Sequence, residues 1–296
     1  MSFKPDVWTV LSMLEWGTDF FSSRRINQPR LSIEWLLSHV LVCKRLDLYL
    51  SFDRPLSKTE LEILRGLVQR RACHEPLQYI TGHTDFYNCR IDVNPSVLIP
   101  RPETEQLVEL VLQWGGKRPE CRVLDIGTGS GCIAIAIKKE QPGWDVTGID
   151  ISPEALKTAA GNAVANQADV RFAHGDLFDP SLSGLHLAPS KPAFDLIVSN
   201  PPYITPGERN SLDIEVRDYE PSMALFHDNI GLVYASVRDL AATWLAPGGV
   251  LFLELSEFHA EKLTELFHNS RWETSLINDY SSKPRFIKAI PVTGNR

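Results

Sequence analysis

No run of about 18 apolar residues interrupts the 296-residue chain, which argues against a membrane-spanning helix. Met1-Ser2-Phe3-Lys4-Pro5-Asp6 has none of the apolar core of a secretory signal. A basic excess is also missing: 30 Lys and Arg stand against 37 Asp and Glu, a net charge of −7. That speaks against a non-specific grip on duplex nucleic acid. The basic pairs Arg24-Arg25, Arg70-Arg71 and Lys138-Lys139 are scattered and read as solvated faces. Cysteine is sparse and odd in number (Cys43, Cys73, Cys89, Cys121, Cys132), without metal-type spacing. This offers no metal site and favours reduced, packed thiols in a cytoplasmic protein over a disulfide framework.

What is present reads as an ordinary globular chain, 43% hydrophobic and 23% charged. Its first 75 or so residues carry helical spacing. Val7, Val10, Leu11 and Leu14 form one apolar set, and Leu31, Trp35, Leu36, His39 and Val40 another. Ser57-Lys58-Thr59-Glu60 is a capping box before a third helix. This predicts a small helical bundle, either a packing appendage or a docking surface for a macromolecule. Thr84–Val93 has strand composition, Asn94-Pro95-Ser96 is a turn signal, and Val97–Ile99 reads as a returning strand. Together they predict a linking hairpin. Pro102 opens a helix running to about Trp114.

From Cys121 onward, strand and helix patterns alternate. Strands are predicted over 122–126, 146–150, 170–173, 194–199, 250–255, 272–278 and 285–291, and helices over 131–140, from Ser152-Pro153, 231–245 and 257–269. That alternation predicts an α/β fold, a mostly parallel sheet covered on both faces. Leu182–Pro192 reads as an inserted surface loop.

Two motifs carry chemistry. Asp125-Ile126-Gly127-Thr128-Gly129-Ser130-Gly131 ends a strand and opens a helix, and its glycines let a ligand approach the backbone. Asp150, at the end of the next strand, can accept both hydroxyl protons of a ribose. Gly129-x-Gly131-x-x-Ala134 also fits a dinucleotide fingerprint. However, the Asp125 carboxylate would repel a pyrophosphate and suits a cationic amino-acid group instead. The second motif is Asn200-Pro201-Pro202-Tyr203, after the predicted strand 194–199. Two prolines remove backbone donors, Asn200 adds a side-chain acceptor, and Tyr203 a flat face. Such a set suits a planar group bearing an NH2, either a carboxamide or an exocyclic base amine. With the glycine-rich turn it points to methylation of nitrogen.

The Asp-x-Gly-x-Gly-x-Gly string resembles the cofactor loop of class I S-adenosylmethionine (SAM) methyltransferases. That resemblance implies a Rossmann-like, seven-stranded sheet. It also places Asp176 near the adenine amine and Leu177 against the ring, in Gly175-Asp176-Leu177-Phe178. Four stretches narrow it further: Glu75–Gly82 leading to Phe86-Tyr87; Val97–Glu105, containing Pro100-Arg101-Pro102-Glu103-Thr104-Glu105; the SAM loop with Asn200–Ile204; and Tyr219-Glu220-Pro221 followed by Ala224-Leu225 and Asn229–Leu232. These resemble the PrmC (HemK) family of protein-(glutamine-N5) methyltransferases. Asn88 departs from it where a glycine belongs after Phe-Tyr, and His227-Asp228 occupy a loop usually richer in glycine.

The resemblance implies an N-terminal substrate-docking bundle (1–81), a hairpin linker (82–100) and a catalytic domain (101–296). It implies SAM as cofactor, held by Asp125, Gly127, Thr128, Gly129, Ser130, Gly131, Asp150, Asp176, Leu177 and Asn200. It implies a protein substrate: the Gly-Gly-Gln glutamine of class I peptide chain release factors, received by Asn200, Pro201, Pro202 and Tyr203. Asn200, Pro201 and Tyr203 would carry catalysis, with no direct nucleic-acid partner and no membrane. The competing reading is an N6-adenine methyltransferase using the same tetrad on a flipped base.

Overall fold

A computed structural model describes residues 7–116, 118–179, 181–182, 194–268 and 271–292. The chain divides into two compact units, Met1–Gly82 with Asp213–Tyr219, and His83–Leu212 with Glu220–Arg296.

The first unit contains α1 (Val10–Ser23), α2 (Pro29–Leu41), α3 (Lys58–Ala72) and α4 (Leu77–Thr81), with a 3-10 helix over Arg45–Leu50. Each start has a local cause. The Thr9 side chain accepts from Ser12 N–H, and the Ser57 side chain accepts from Glu60 N–H while Glu60 returns to the Ser57 backbone. Val10, Met13, Leu14 and Phe21 of α1 meet Ile33, Leu36 and Leu37 of α2 and Leu64 and Val68 of α3 in one core. The apolar stripe of α2 therefore lies beside the predicted one. His39 is exposed rather than packed, because Ile33 and Leu37 set the buried face. Val7 is exposed as well. Arg71 is buried in this unit. Its guanidinium donates to Ser32 Oγ (3.1 Å), Glu75 O (2.8 Å) and Glu215 Oε1 (2.7 Å).

The second unit begins with a hairpin of β1 (His83–Phe86) and β2 (Cys89–Asp92). Its turn is Tyr87-Asn88, both at positive φ (44° and 63°), which matches the twist of the flanking strands. Asn88 sits where a glycine would serve, since asparagine tolerates this region. The Glu105 carboxylate holds the turn by accepting from Tyr87 N–H (3.0 Å). The expected hairpin through Asn94–Ser96 is thus displaced. Asn94 Oδ1 accepts from Ser96 N–H in a local turn, and Val97–Ile99 forms no strand.

Then follow α5 (Pro102–Gly115), β3 (Arg122–Ile126), α6 (Cys132–Glu140), β4 (Asp145–Asp150), α7 (Pro153–Ala165), β5 (Val170–His174) and β6 (Phe194–Ser199). Next are α8 (Ile214–Tyr219, part of the first unit), α9 (Ser222–Leu225), α10 (Ile230–Trp244), β7 (Leu245–Glu254), α11 (Ala260–His268), β8 (Trp272–Asn278) and β9 (Pro284–Pro291). The sheet order is β5-β4-β3-β6-β7-β9-β8, parallel from β5 to β7 and antiparallel at β9 and β8. The predicted alternation of strand and helix is thus realised, with Ser152 capping α7 through Ala155 N–H and Pro153 in its first turn.

Strand β7 begins earlier than predicted. Leu245 pairs with Phe194 and Val250 with Leu196, so Ala246–Gly249 bulge out of the ladder instead of breaking it. The predicted insertion at 182–192 lies, Leu182 apart, outside the described residues. All five cysteines are free. Cys89, Cys121 and Cys132 are buried as expected, but Cys73 is exposed. Among the described residues no helix is long and apolar enough to cross a membrane.

The Arg71 cluster yields a stability test. Arg71→Met should cost the first unit on the order of 2–4 kcal/mol, because three donors vanish and a carboxylate loses its partner. Urea unfolding followed by circular dichroism checks this, and an unchanged midpoint would show the cluster to be energetically idle.

Candidate active site

Parallel pairing places the two motifs side by side. Ile126 of β3 is in register with Ile149 of β4 and with Ser199 of β6, and Ser199 is in register with Leu253 of β7. The next residue on each strand is therefore Gly127, Asp150, Asn200 or Glu254, a row across the carboxyl ends. The row straddles β3 and β6, where strand order reverses and open α/β sheets bind their ligands.

On the β3 side, Gly127, Gly129 and Gly131 hold φ of 69°, 56° and 81°, which side chains with a Cβ resist. A Cβ at Gly127 would meet nothing within 4 Å, so the loop face is open to a ligand. Gly129 N–H donates to Asp150 Oδ2 (2.8 Å) and Ser152 N–H to Asp150 Oδ1 (2.9 Å). These bonds fix the carboxylate and leave each oxygen a further lone pair for a hydroxyl. Burial pushes the Asp150 pKa up, against those two backbone donors.

Asp125 is wholly buried. Thr128 Oγ1 donates to its Oδ2 (2.6 Å), the Ala134 backbone amide also favours its charge, and no well-formed hydrogen bond reaches its Oδ1. Desolvation raises the Asp125 pKa to about 7, Thr128 opposing and the Asp150 charge adding to the shift. Asp176, beyond β5, accepts from Phe178 N–H (2.8 Å), and Leu177 is half-buried against the core. The open glycine face, the pinned Asp150 and a carboxylate short of partners fit a cofactor carrying a ribose and a positive charge.

On the β6 side, Ser199 Oγ donates to Ile126 O (2.7 Å), tying the two strand ends together. Pro201 is buried, while Asn200, Pro202 and Tyr203 are partly exposed. Asn200 Nδ2 donates to Thr104 Oγ1 (3.2 Å), and Thr104 Oγ1 donates to Glu254 Oε2 (2.8 Å). Tyr203 OH donates to Glu254 Oε1 (3.4 Å), and Tyr234 OH donates to the Glu254 carbonyl (2.6 Å). Burial lifts the Glu254 pKa to about 7 despite Thr104 and Arg285, and raises that of Tyr203 well above its ordinary value. Arg101 pairs with the buried Glu220, which also accepts from Ile99 N–H (3.3 Å). Arg101 of the Pro-Arg-Pro stretch and Glu220 therefore meet.

Sequence reading passed over Thr104 and Glu254. Thr104 lies within the Pro-Arg-Pro-Glu-Thr-Glu stretch, where nothing local marks it. Glu254 was signalled by a lone carboxylate ending the apolar run Val250–Leu253, since a fully buried acid needs partners.

Sheet order, glycine loop and strand-end acids define a class I SAM-dependent methyltransferase. The comparisons specify it further. The PrmC N-terminal domain model matches residues 12–82, and the methyltransferase small domain model matches residues 104–216. A release factor glutamine methyltransferase of Geobacter sulfurreducens is 43% identical over 269 residues, 90% of this chain and 91% of the relative. One from Chlorobaculum tepidum is 40% identical over 291 residues, covering 96% and 98%. The chain belongs to the release factor glutamine methyltransferase family, and its cofactor is SAM.

Two tests follow. The folded pKa of Asp125, about 7, lies above its ordinary 3.8. Its contribution to apo stability is therefore fully present below about pH 4 and is lost as pH rises towards 7. A cationic ligand favours the ionised form, so SAM affinity should rise between about pH 5.5 and 7 with proton release. Asp125→Asn should flatten that slope in calorimetric titrations. A parent affinity independent of pH would remove Asp125 from the cofactor site. Asp150→Ala should weaken SAM binding by about ten-fold or more, the loss of roughly one charge-assisted hydrogen bond. Unchanged affinity would take Asp150 out of the ribose role.

Proposed function

We propose that this protein transfers the methyl group of SAM to the side-chain amide nitrogen, N5, of the Gly-Gly-Gln glutamine of class I peptide chain release factors. In this reading Asn200 and Pro201 are the acceptors that hold the amide. The observation carrying it is the position of Asn200, one residue beyond the Ser199–Ile126 pair and next to the glycine loop. Bound SAM supplies an electrophilic methyl group on a positively charged sulfur.

A carboxamide nitrogen is a poor nucleophile because its lone pair is delocalised into the carbonyl. Asn200 Oδ1 and the Pro201 carbonyl each accept one amide hydrogen and turn the lone pair towards the incoming methyl. Fixing reactants in near-attack geometry can supply about 7–11 kcal/mol in favourable cases. As positive charge grows on nitrogen the two acceptors bind its hydrogens more strongly, so they favour the transition state over the ground state. Tyr203 packs against the amide plane, and Pro202 shapes the wall beside it. The methylated nitrogen then gives up its extra proton to the acceptors or to water.

The first unit is read as the part that docks the release factor. Val42, Leu46 and Leu50 are exposed in this unit and available to a partner.

The test uses labelled SAM and a purified class I release factor, with the label located by peptide mass spectrometry. Parent protein should mark the Gly-Gly-Gln glutamine. Asn200→Ala should retain SAM binding and transfer at least about 100-fold more slowly, the scale of losing one preorganised transition-state contact. Activity within a few-fold of the parent would overturn the acceptor reading. Label on adenine in added nucleic acid, with none on the glutamine, would move the assignment to an N6-adenine methyltransferase.

A further inference from the structure

The carboxamide of Asn200 has two ends, and only one serves as an acceptor. We propose that Glu254, acting through Thr104, is the positioning element that fixes which end faces the substrate. The inference rests on the acceptor reading of Asn200.

Hydrogen-bond polarity runs one way along the chain of groups. An ionised carboxylate accepts and cannot donate. Once ionised, above about pH 7, Glu254 Oε2 takes the single hydroxyl proton of Thr104 across 2.8 Å, in a buried contact. With that proton committed, the Thr104 oxygen has only lone pairs left for Asn200. The Asn200 atom 3.2 Å away must then be the NH2 nitrogen, and Oδ1 is left for the incoming amide. The network thus determines the orientation of the side chain.

The same carboxylate receives the Tyr203 hydroxyl on its other oxygen. One buried acid thereby holds two of the four tetrad side chains. Tyr234 fixes the strand beneath it by donating to the Glu254 carbonyl. Without the relay, Asn200 is free to turn its NH2 towards the substrate NH2, setting donor against donor and removing an acceptor from the transition state. Neither Thr104 nor Glu254 needs to touch the reacting atoms.

The experiment measures kcat and KM for the release factor at pH 8.5, where Glu254 is ionised, together with SAM affinity and thermal midpoint. Thr104→Val keeps the shape and deletes the hydroxyl. It should lower kcat by about ten-fold, the value of one oriented hydrogen bond, with KM and SAM affinity near parental values. Thr104→Ser keeps the hydroxyl and should restore most of the rate. A kcat for Thr104→Val within two-fold of the parent would overturn the proposal. So would equal losses in the Val and Ser variants, or a loss confined to KM or SAM affinity. The Asn200→Ala variant separates the two levels. If it is inactive while Thr104→Val is fully active, only the relay fails. If it is active, the acceptor reading fails and the relay fails with it.

Discussion

The parallel pairing of β3 with β6 sets Ile126 beside Ser199, and every functional contact in the second unit builds on that register. The glycine loop leaves one strand at the level where the Asn-Pro-Pro-Tyr loop leaves the other. Ser199 Oγ closes the pair by donating to Ile126 O. Neighbouring strands extend the row outward, to Asp150 on one side and Glu254 on the other. A slip of one residue in any of these ladders would turn the strand-end side chain to the opposite face. Residues 123–126 and 196–199 are buried on both faces of the sheet.

Two fully buried acids lie at the strand ends, Asp125 on β3 and Glu254 on β7, and their partners differ. Asp125 has one oxygen bonded to Thr128 and the other without a well-formed hydrogen bond, a carboxylate whose ionisation improves when positive charge arrives. Glu254 has both oxygens engaged by hydroxyls, and its charge sets the direction of hydrogen bonding. Desolvation raises both to about 7, so the difference between them lies in their partners rather than their depth. One lies on the β3 side of the crevice, and the other joins Thr104 and Tyr203 at the end of β7.

Much of the fold was readable because its signals are local. The apolar run at 122–126, the Ser152 cap with Pro153 behind it, and the capping box at Ser57 depend on neighbours a few residues away. The errors arose where distant contacts outweighed local preference. The Tyr87-Asn88 turn has no glycine to announce it, and Glu105, on a later helix, holds it. His39 matched a helical stripe that the packing of α1 against α2 rotated away. Ala246–Gly249 looked like a break between helix and strand, yet pairing on either side keeps them within β7 as a bulge.

The sequence by itself determined the residue types at hand: a glycine loop at a strand end, an acid at the end of the following strand, and an asparagine followed by two prolines. These properties reside in residue types and spacings of a few positions. Only the tertiary structure decided which groups govern them. Thr104, Asn200 and Glu254 lie far apart in the chain, and the hydrogen bonds joining them exist because α5, β6 and β7 are packed in register. Arg101 and Glu220 likewise became partners, and Asp213–Tyr219 joined the N-terminal unit, through folding alone. Hydrogen-bond direction and burial depend on which atoms meet in space, and chain order does not record that.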